Sequence, residues 1–351
     1  MFRSVHVQNF RVITDLKVED LSRVNLFVGH NACGKTTLLE SLFFLIGATN
    51  PKLPVSANAL RGFPHISRAV WPTYFHNMDV SIPIQICATD DETDEEQRLL
   101  IRPHYTHRGA SRETPLPMIS TSGAPTGFET DGSLDGLELE YLASPDSTSG
   151  EISRVFIRDE KLVDEGTKPR VPNGTFVVPL LMDLKDRFSE VQRKKQVQEI
   201  VNLLKDIEPA LEDLRLLDPP GVLYADTGGA ELIPVNLMGG GIMKLLSTAL
   251  AMLNMQGGFV LIDEIENGLG YLSQRRLWEA IFSWAQKLDI QVFASTHSME
   301  CIRAFSDLGE ADLFGRDAKL FRIERMGDAF RAVEYDRELL AESLESNWEV
   351  R

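Results

Sequence analysis

A glycine-rich segment near the start of the chain constrains its fold more than any other feature. Residues 29–36 read Gly-His-Asn-Ala-Cys-Gly-Lys-Thr, which matches the phosphate-binding loop pattern G-x-x-x-x-G-K-[ST] without a gap. The apolar run 24–28 before it predicts a buried strand, and the apolar residues of 36–47 after it recur at helical spacing. Strand, loop and helix thus follow in the order that a phosphate-binding loop requires. A chance glycine-rich turn is the alternative interpretation.

The chemistry of this loop is set by its glycines and its last two residues. Glycines let the backbone curl so that successive N–H groups point at an anion, and the positive end of the helix dipole adds to the attraction. Lys35 is then expected to reach the β- and γ-phosphates of a nucleotide, and the Thr36 hydroxyl to ligate Mg²⁺. The candidate nucleotide-binding residues of this segment are Gly29, Asn31, Gly34, Lys35, Thr36 and Thr37.

A second motif lies at the end of an apolar strand. Residues 259–262 read Phe-Val-Leu-Ile and are followed by Asp263 and Glu264, which is a Walker B pattern. We expect Asp263 to hold Mg²⁺ through water, and Glu264 to orient and polarise the attacking water. Because acids at strand ends are also common turn residues, this motif alone leaves both interpretations open.

A histidine follows another apolar strand. Residues 291–295 predict a strand that leads into Thr296 and His297. Ligands of open α/β sheets bind at the carboxyl ends of the strands, so the His297 imidazole could hydrogen-bond the γ-phosphate and sense its loss. The alternative is a histidine that caps the following helix.

Three consecutive glycines form a third candidate site. Gly239, Gly240 and Gly241 precede residues 242–255, whose apolar residues recur with a helical period. A glycine turn that opens a helix is a second anion-binding N terminus. Two helix N termini that lie far apart on one lobe cannot hold the same γ-phosphate, so the economical arrangement is a head-to-tail dimer. The alternative is a glycine-rich turn that binds no ligand.

These four elements, in this order, resemble the heads of ABC-type ATPases. More narrowly, the chain is similar to the OLD/RecF-like group of soluble ABC ATPases, relatives of SMC heads that are often labelled AAA-family ATPases. The resemblance rests on residues 7–11, 31–40, 262–269, 293–298 and 334–336. It implies an α/β fold: a P-loop NTPase of the ABC-ATPase head type with a mixed sheet and flanking helices, plus a β-rich insertion and a short helical lid.

The resemblance also implies roles for particular residues. It places Arg11 near the nucleotide, makes Glu264 the catalytic carboxylate and His297 the switch histidine, and lets the turn Gly239–Gly241 contact ATP across a dimer. ATP and Mg²⁺ are the cofactors that this group uses.

The chain departs from the group in three places. Met238 precedes the glycines where transporters have the serine of L-S-G-G-Q, so backbone N–H groups must contact the γ-phosphate instead. Gly270 stands where the group often has a histidine. The Q-loop glutamine has two candidate locations, Gln85 and the stretch 74–77.

Charge and hydropathy limit whether the chain can bind nucleic acid or a membrane. A formal net charge of −16 argues against a protein that coats nucleic acid by itself, since non-specific DNA binding depends on a basic surface. Nucleic acid stays a weakly supported partner because basic side chains cluster locally, although solvated faces are the alternative. These side chains are Arg98, Arg102, His104, His107, Arg108, Arg112, Arg193, Lys194 and Lys195. The sequence shows no bilayer-length apolar run and no leader, so we expect a cytoplasmic protein without a membrane partner.

Changes of composition along the chain predict its organisation. Residues 1–96 and 208–351 are assigned to the ATPase lobe, 97–183 to a β-rich insertion, and 184–207 to one amphipathic helix that forms a lid or short arm. The acidic run 90–96 predicts an exposed hairpin tip. Mobile loops are expected at 110–132 and 144–150, and a terminal helix at 337–348.

The resemblance implies a biological role as well. OLD-type proteins commonly carry a Toprim nuclease domain after the ATPase, and the 54 residues that follow His297 leave no room for one. Stand-alone members resemble subunits that work with a separately encoded effector, often a nuclease, in bacterial defence against phage. We therefore expect an ATP-hydrolysing switch that forms a homodimer or higher homo-oligomer and controls such an effector, for example a Toprim-type nuclease. The alternatives are a DNA-repair or chromosome-associated ATPase that binds DNA directly and, less well supported, a transporter ATPase.

Overall fold

The computed structural model describes most of the chain. The described residues are 1–61, 67–107, 132–144, 150–166, 174–177, 184–205, 207–217, 221–307, 317–346 and 349–350. The strands are β1 (Phe2–Phe10), β2 (Ile13–Val18), β3 (Val24–Val28), β4 (Ile84–Asp90), β5 (Glu96–His107), β6 (Gly132–Leu142), β7 (Glu151–Arg158), β8 (Lys161–Gly166), β9 (Gly174–Val177), β10 (Asp213–Leu217), β11 (Val222–Asp226), β12 (Ile233–Pro234), β13 (Phe259–Ile262), β14 (Gln291–Ser295), β15 (Ala318–Met326) and β16 (Ala329–Tyr335). The helices are α1 (Lys35–Ile46), α2 (Leu53–Leu60), α3 (Leu184–Arg193), α4 (Val197–Leu204), α5 (Gly240–Asn254), α6 (Tyr271–Lys287), α7 (Met299–Asp307) and α8 (Arg337–Glu345).

A mixed sheet carries the three motif-bearing strands. Its strand order is β16-β15-β3-β14-β13-β9, and every pairing is parallel except that of β15 with β16. Strand β14 therefore lies between β3, which precedes the glycine-rich loop, and β13, which precedes Asp263. Because these strands are parallel, their carboxyl ends meet at one edge of the sheet, where the three predicted motifs come together.

Both faces of this sheet are covered, which explains the unbroken apolar runs of its strands. All residues of β3 and β14 are buried. One face packs against α3, α4, α5, α6 and α7, and the other packs against α1 and a second sheet. Strands buried on both faces read as continuous hydrophobic segments rather than as alternating ones.

The second sheet is antiparallel and has the order β2-β1-β4-β5-β6-β7-β8. The acidic run 90–96 forms the exposed turn between β4 and β5, so the predicted hairpin tip is confirmed. Strands β5 to β8 extend the sheet that begins with β1, β2 and β4, and β9 instead joins β13 in the mixed sheet. Strand β9 thus lies within the predicted β-rich insertion 97–183 and pairs with the mixed sheet. The division into lobe, insertion and lid stays a prediction.

The segment 184–207 differs from the single helix that we expected. It contains two helices, α3 and α4, with Lys195 between them at a positive φ of 59°. Their apolar side chains are buried against α5, including Phe188, Val191 and Ile200. The apolar stripe that predicted one long helix is therefore shared by two short ones that pack into the core.

Several expected elements lie partly or wholly outside the described residues. Of the first predicted loop, residues 110–131 lie outside the described residues, and β6 begins at residue 132. Of the second predicted loop, residues 145–149 lie outside them. Helix α8 starts at Arg337 as predicted and ends at Glu345. Among the helices that the structure describes, none has both the length and the apolar character needed to cross a bilayer.

Candidate active site

The glycine-rich loop adopts a conformation that only glycine allows at two positions. Gly29 has φ 145°, and a Cβ there would lie 2.5 Å from the Ile323 carbonyl oxygen and 2.7 Å from Cys33 Sγ. Gly34 has φ 101° and immediately precedes α1. Residues 29 and 34 are thus fixed as glycine by sterics, and the loop ends on a helix N terminus, as a phosphate-binding loop requires.

Lys35 lies folded over this loop. Its Nζ donates hydrogen bonds to the carbonyl oxygens of Gly29, at 2.7 Å, and of His30, at 3.0 Å. An ammonium held by loop carbonyls stands where it can exchange them for phosphate oxygens. Asn31 is exposed and lines a cavity of about 580 Å³ between the loop and the end of β15, whereas Thr37 is buried in the first turn of α1.

The predicted metal-binding residues are in direct contact. Thr36 Oγ1 donates a hydrogen bond of 2.8 Å to Asp263 Oδ2, which joins the N terminus of α1 to the end of β13. A hydroxyl and a carboxylate oxygen are hard donors, and Mg²⁺ is commonly held by one or two such protein oxygens together with substrate phosphates. This donor pair therefore fits Mg²⁺. In the part of the chain that the structure describes, no group of three or more His, Cys, Asp or Glu side chains forms a competing metal site.

A serine that the sequence reading missed orients the two acids of the Walker B motif. Ser295, the last residue of β14, donates a hydrogen bond to Asp263 Oδ1 and accepts one of 3.0 Å from the Glu264 N–H. Glu264 has a positive φ of 45°, which is unusual for a non-glycine residue. Its exposed carboxylate accepts a hydrogen bond of 2.6 Å from Asn267 Nδ2. The side chain of Glu264 thus points away from the sheet into solvent while its backbone is held.

His297 is held by a second acid that the sequence reading also missed. Glu266 is buried, and its Oε1 accepts a hydrogen bond from the His297 backbone N–H and lies 3.0 Å from Nδ1 of the same residue. Since an ionised carboxylate only accepts, the imidazole carries its proton on Nδ1. The Asp-Glu-x-Glu spacing of residues 263–266 was the available signal, because it adds a third acid at the same strand end.

The three glycines open α5 as predicted, and they differ in what surrounds them. Gly239 has φ 101°, and a Cβ there would have no heavy atom within 4 Å, so the turn is open to solvent at this residue. A Cβ on Gly240 would meet only Gly268, at 4.0 Å, whereas a Cβ on Gly241 would lie 2.6 Å from the Gly268 carbonyl oxygen. Close packing therefore explains the glycine at 241 and the positive φ explains the one at 239, whereas neither explains the glycine at 240.

Arg11 is committed to an internal network. Its Nε lies 2.9 Å from Glu40 Oε2, its Nη2 donates to Asn58 Oδ1 at 2.9 Å, and its guanidinium lies 5.0 Å from the Tyr74 ring centroid. Burial lowers the pKa of Arg11, and the Glu40 charge opposes that effect. In this structure the Arg11 side chain thus binds the P-loop helix through Glu40.

Arg61 shares Glu40 with Arg11, and no sequence motif pointed to it. Its Nε and Nη2 donate to the two carboxylate oxygens of Glu40 at 2.5 and 3.0 Å. Burial acts to lower the pKa of Arg61, but the hydrogen bonds to Glu40 and the charges of Glu40 and Asp263 outweigh it and raise that pKa. Arg61 therefore lies within electrostatic reach of the predicted magnesium ligand.

The two candidate Q-loop locations lie in different surroundings. Gln85 is within β4, opposite Gln8 of β1. The stretch Tyr74–Asn77 contacts Arg11 instead: the Tyr74 carbonyl accepts from the Arg11 N–H at 2.8 Å, and His76 Nδ1 lies 2.9 Å from the Arg11 carbonyl oxygen. Gly270 is exposed before the first residue of α6.

The arginines of the antiparallel sheet are paired with acids. The ion pairs are Arg98–Glu96 at 2.7 Å, Arg102–Glu140 at 2.5 Å, Arg154–Glu138 at 2.7 Å and Arg158–Glu165 at 3.5 Å. Of the basic side chains on the helix, Arg193 and Lys194 pair with Glu190. Arg108 and Arg112 lie outside the described residues. Paired charges give little long-range attraction for a polyanion.

Comparison with known proteins shows which family the chain matches. The family model described as "AAA domain, putative AbiEii toxin, Type IV TA system" matches residues 24–303, a segment that begins at β3 and ends within α7. An "ATP/GTP phosphatase" of Helicobacter pylori is 22% identical over 348 residues, which cover 93% of each chain. A stretch of 42 residues is 48% identical to the DNA replication and repair protein RecF of Clostridium botulinum and covers 12% of each chain.

A solved structure confirms the fold. The Smc head bound to the C-winged helix domain of ScpA aligns over 97% of this chain and 99% of that chain, with a TM-score of 0.51 and 14% sequence identity. At this identity the likeness establishes the fold alone, which is the ATPase-head fold that the sequence resemblance implied.

Proposed function

The chain belongs to the family described as "AAA domain, putative AbiEii toxin, Type IV TA system" and is an ATPase of the AAA and SMC-head type, and we propose that it acts as an ATP-dependent switch subunit for a separately encoded effector. The observation that carries this proposal is the contact of Thr36 with Asp263. It brings the phosphate-binding loop and the Walker B acids to one point at the edge of the sheet.

Each residue at this point has a proposed role in hydrolysis. Lys35 would neutralise phosphate charge, and Thr36 and Asp263 would hold Mg²⁺, which would supply further positive charge against the phosphates of the nucleotide. Glu264 orients and polarises the attacking water; its exposed carboxylate and its constrained backbone support this role. His297 hydrogen-bonds the γ-phosphate, and Glu266 fixes the tautomer of its imidazole.

The active site is proposed to be shared by two copies of the chain. Gly239 and Gly240 are exposed at the N terminus of α5; a φ of 101° accounts for glycine at 239, whereas neither φ nor packing within the chain accounts for glycine at 240. Backbone N–H groups at a helix N terminus attract anions. A head-to-tail homodimer would place this turn over the γ-phosphate that is bound to the loop of the other copy, and higher homo-oligomers could be built from such dimers.

The effector is proposed from the family and from the site. The family description names a putative toxin of a Type IV TA system, and the Helicobacter pylori relative is named as a phosphatase of ATP and GTP. A nucleotide-gated dimer can hold a partner in one nucleotide state and release it in the other. We propose a role in anti-phage defence with an effector such as a Toprim-type nuclease.

Glu264→Gln provides the test of the switch. This variant should bind ATP and keep it, so light scattering should report a dimer in ATP and Mg²⁺ and a monomer after exchange into ADP. Lys35→Ala is the matched control, since it should stay monomeric in ATP. A Glu264→Gln protein that binds ATP by calorimetry without any change of mass would contradict the ATP-dependent dimer. Affinity purification of the ATP-bound variant from its source cells would then identify the effector.

A DNA-binding ATPase is the second candidate function. The short matches to RecF and the SMC-head fold favour it, whereas the net charge of −16 and the paired arginines disfavour it. Stimulation of ATP hydrolysis by duplex DNA, with a steep dependence on salt, would favour this second function. Unchanged hydrolysis with and without DNA would favour the switch.

A further inference from the structure

A buried lysine lies behind the Walker B acids. Lys244 is in the second turn of α5 and is 4% exposed. Its Nζ donates a hydrogen bond of 2.8 Å to the carbonyl oxygen of Asp263, which belongs to the peptide between Asp263 and Glu264. Burial lowers the pKa of Lys244 to about 8, and the nearby carboxylates of Asp263, Glu266 and Glu264 limit that fall.

The peptide between Asp263 and Glu264 is therefore held from both sides. Its carbonyl oxygen accepts from Lys244, and its N–H donates to Ser295 Oγ. The φ of 45° at Glu264 is a sparsely populated conformation that persists only where its surroundings hold it. Rotation of this peptide would move the magnesium ligand and the catalytic carboxylate together, because it connects their Cα atoms.

A second buried charge, Glu266, holds His297. One carboxylate oxygen, Oε1, accepts from the His297 backbone and faces its Nδ1. The other, Oε2, is buried and accepts no hydrogen bond from the residues that the structure describes. A buried carboxylate oxygen without a donor is costly unless a positive charge compensates it. The buried ammonium of Lys244 is a positive charge whose field reaches this carboxylate without a direct contact between the two groups.

We propose that Lys244 and Glu266, two buried charges that contact the Asp263–Glu264 peptide and His297, are positioning residues that hold Glu264 and His297 in the geometry that hydrolyses ATP, with Lys244 acting from α5. This inference rests on the proposed function, because it assigns regulation to that same site. Lys244 lies only about 6 Å along the helix axis from Gly240, given a rise of about 1.5 Å per residue. When the glycine turn engages the nucleotide of another copy, a shift of α5 reaches the Asp263–Glu264 peptide through one hydrogen bond.

A purely structural role accounts poorly for this pair. Apolar side chains of similar volume often replace a buried ion pair without loss of stability. Lys244 and Glu266 are instead bonded to the two groups whose orientation the hydrolytic step needs. Their effect should therefore appear in kcat more than in ATP affinity.

The test compares Lys244→Met, Glu266→Gln and the double variant with wild-type protein. We expect each single variant to lower kcat by at least about 10-fold while KM for ATP changes by less than about 3-fold. The double variant should lower kcat by no more than the worse single variant does, because neither buried charge then remains without the opposite charge. Lys244→Arg, which keeps the charge, should recover at least about 3-fold in kcat over Lys244→Met.

An exposed lysine and glutamate, the same two residue types, provide the matched control. Lys287 Nζ lies 3.4 Å from Glu199 Oε2 at the surface, and Lys287→Met, Glu199→Gln and their double variant should all keep kcat within about 2-fold of wild type. Imidazole ¹⁵N shifts of His297 give a second readout that does not require turnover: Glu266→Gln should move the Nδ1 resonance, because the acceptor of the Nδ1 hydrogen bond loses its negative charge, and Glu199→Gln should not.

The outcomes separate this inference from the proposed function. Wild-type protein without Lys35-dependent ATP hydrolysis would overturn both. Normal wild-type hydrolysis with an unchanged kcat in folded Lys244→Met and Glu266→Gln, and an unchanged His297 spectrum in Glu266→Gln, would overturn this inference alone. If Lys244→Met does not fold, the kcat and the His297 spectrum of Glu266→Gln still decide the question.

Discussion

Arg11 Nε lies 2.9 Å from Glu40 Oε2, and the two side chains are 11% and 6% exposed. Glu40 is on α1, the helix that begins with Lys35, and it also accepts two hydrogen bonds from Arg61. Two arginines from separate segments are thus tied to the helix that begins with Lys35, the predicted phosphate-binding lysine. The role of Arg11 at the nucleotide stays a prediction, and its contacts here orient α1.

Removal of the Glu40 charge should destabilise the fold. Glu40→Gln leaves two partly buried guanidinium groups without their shared counter-charge, and we expect the free energy of unfolding to fall by roughly 3–5 kcal/mol. Urea denaturation at pH 7 measures this change. Glu19→Gln is the control, because Glu19 pairs with Lys17 on the surface and its loss should cost less than about 1 kcal/mol. Equal effects of the two substitutions would show that the buried cluster contributes no more to the free energy of unfolding than a surface ion pair does.

Binding and hydrolysis of ATP should separate between two variants. Lys35→Ala removes the charge that neutralises ground-state phosphate, so ATP binding should weaken by at least about 100-fold, which is about 2.7 kcal/mol. Glu264→Gln should keep ATP affinity within about 3-fold and lower kcat by at least about 100-fold. Calorimetry and a phosphate-release assay measure the two quantities, and chelation of Mg²⁺ should abolish hydrolysis in wild type. Equal loss of binding in both variants would contradict this division of roles.

The parts of the fold that the sequence predicted are those with a strong local signal. The bounds of β3 and β14 agree with the apolar runs 24–28 and 291–295, because strands buried on both faces are apolar throughout. The pairing of β9 with β13 had no such signal, since register and strand order depend on contacts between distant segments. The break at Lys195 was missed because the apolar stripe continues across it.

The candidate active site likewise contains residues that the sequence predicted and residues that it did not. The loop 29–36 and the acids Asp263 and Glu264 form contiguous motifs, and the structure brings them together. Ser295 lies in the segment 293–298 but was assigned no role, and Lys244 lies in none of the motifs. Both hydrogen-bond Asp263, which is 32 and 19 positions away in sequence, respectively. Only the folded chain shows that a serine and a lysine hold the same peptide.

If the active site is shared between two copies as proposed, two inactive variants should rebuild it when mixed. Gly240 has room for a side chain, since a Cβ there would meet only Gly268 at 4.0 Å, so Gly240→Asp should fold. Its carboxylate would stand beside the γ-phosphate in the dimer and repel it. We expect Gly240→Asp and Lys35→Ala each to be inactive alone, and their mixture to recover up to one intact site per heterodimer.

Two controls sharpen this complementation. Gly240→Ala tests folding without added charge, and its thermal midpoint should be at least that of wild type, because alanine is favoured over glycine in a helix. Gly241→Ala should instead lower the midpoint, because its Cβ would lie 2.6 Å from the Gly268 carbonyl oxygen. Heterodimers that assemble, as shown by mass, without any recovery of hydrolysis would argue against a site shared between subunits.

The cysteines should react slowly in the folded protein. Burial raises the pKa of Cys301 to about 12 and raises the pKa of Cys33 and of Cys87. Because the thiolate is the reactive form, alkylation of Cys301 by iodoacetamide at pH 8 should be at least about 100-fold slower than in denaturant. Peptide mass spectrometry at timed intervals measures each site separately, and native alkylation of Cys301 at the denatured rate would contradict its burial.

The raised pKa of Cys301 also makes the free energy of unfolding depend on pH. The unfolded thiol loses its proton above its ordinary pKa of 9.0, whereas the folded thiol keeps its proton until about 12. The unfolded state therefore binds fewer protons between these values, and this thiol lowers the free energy of unfolding as pH rises from 9 to 12. Cys301→Ala should remove that part of the pH dependence.

The chain by itself should hydrolyse ATP and leave nucleic acids intact. Cleavage of a phosphodiester usually needs a carboxylate cluster that holds metal ions at the scissile bond. Within the described ranges no group of three or more His, Cys, Asp or Glu side chains is placed to do so, and Asp263 is already engaged with Thr36. Incubation with plasmid, single-stranded DNA and transfer RNA in Mg²⁺ or Mn²⁺ tests this directly, with Lys35→Ala as the matched control. Cleavage that survives in Lys35→Ala would reveal a nuclease site within this chain, and the proposal that a separate effector carries the destructive activity would then be wrong.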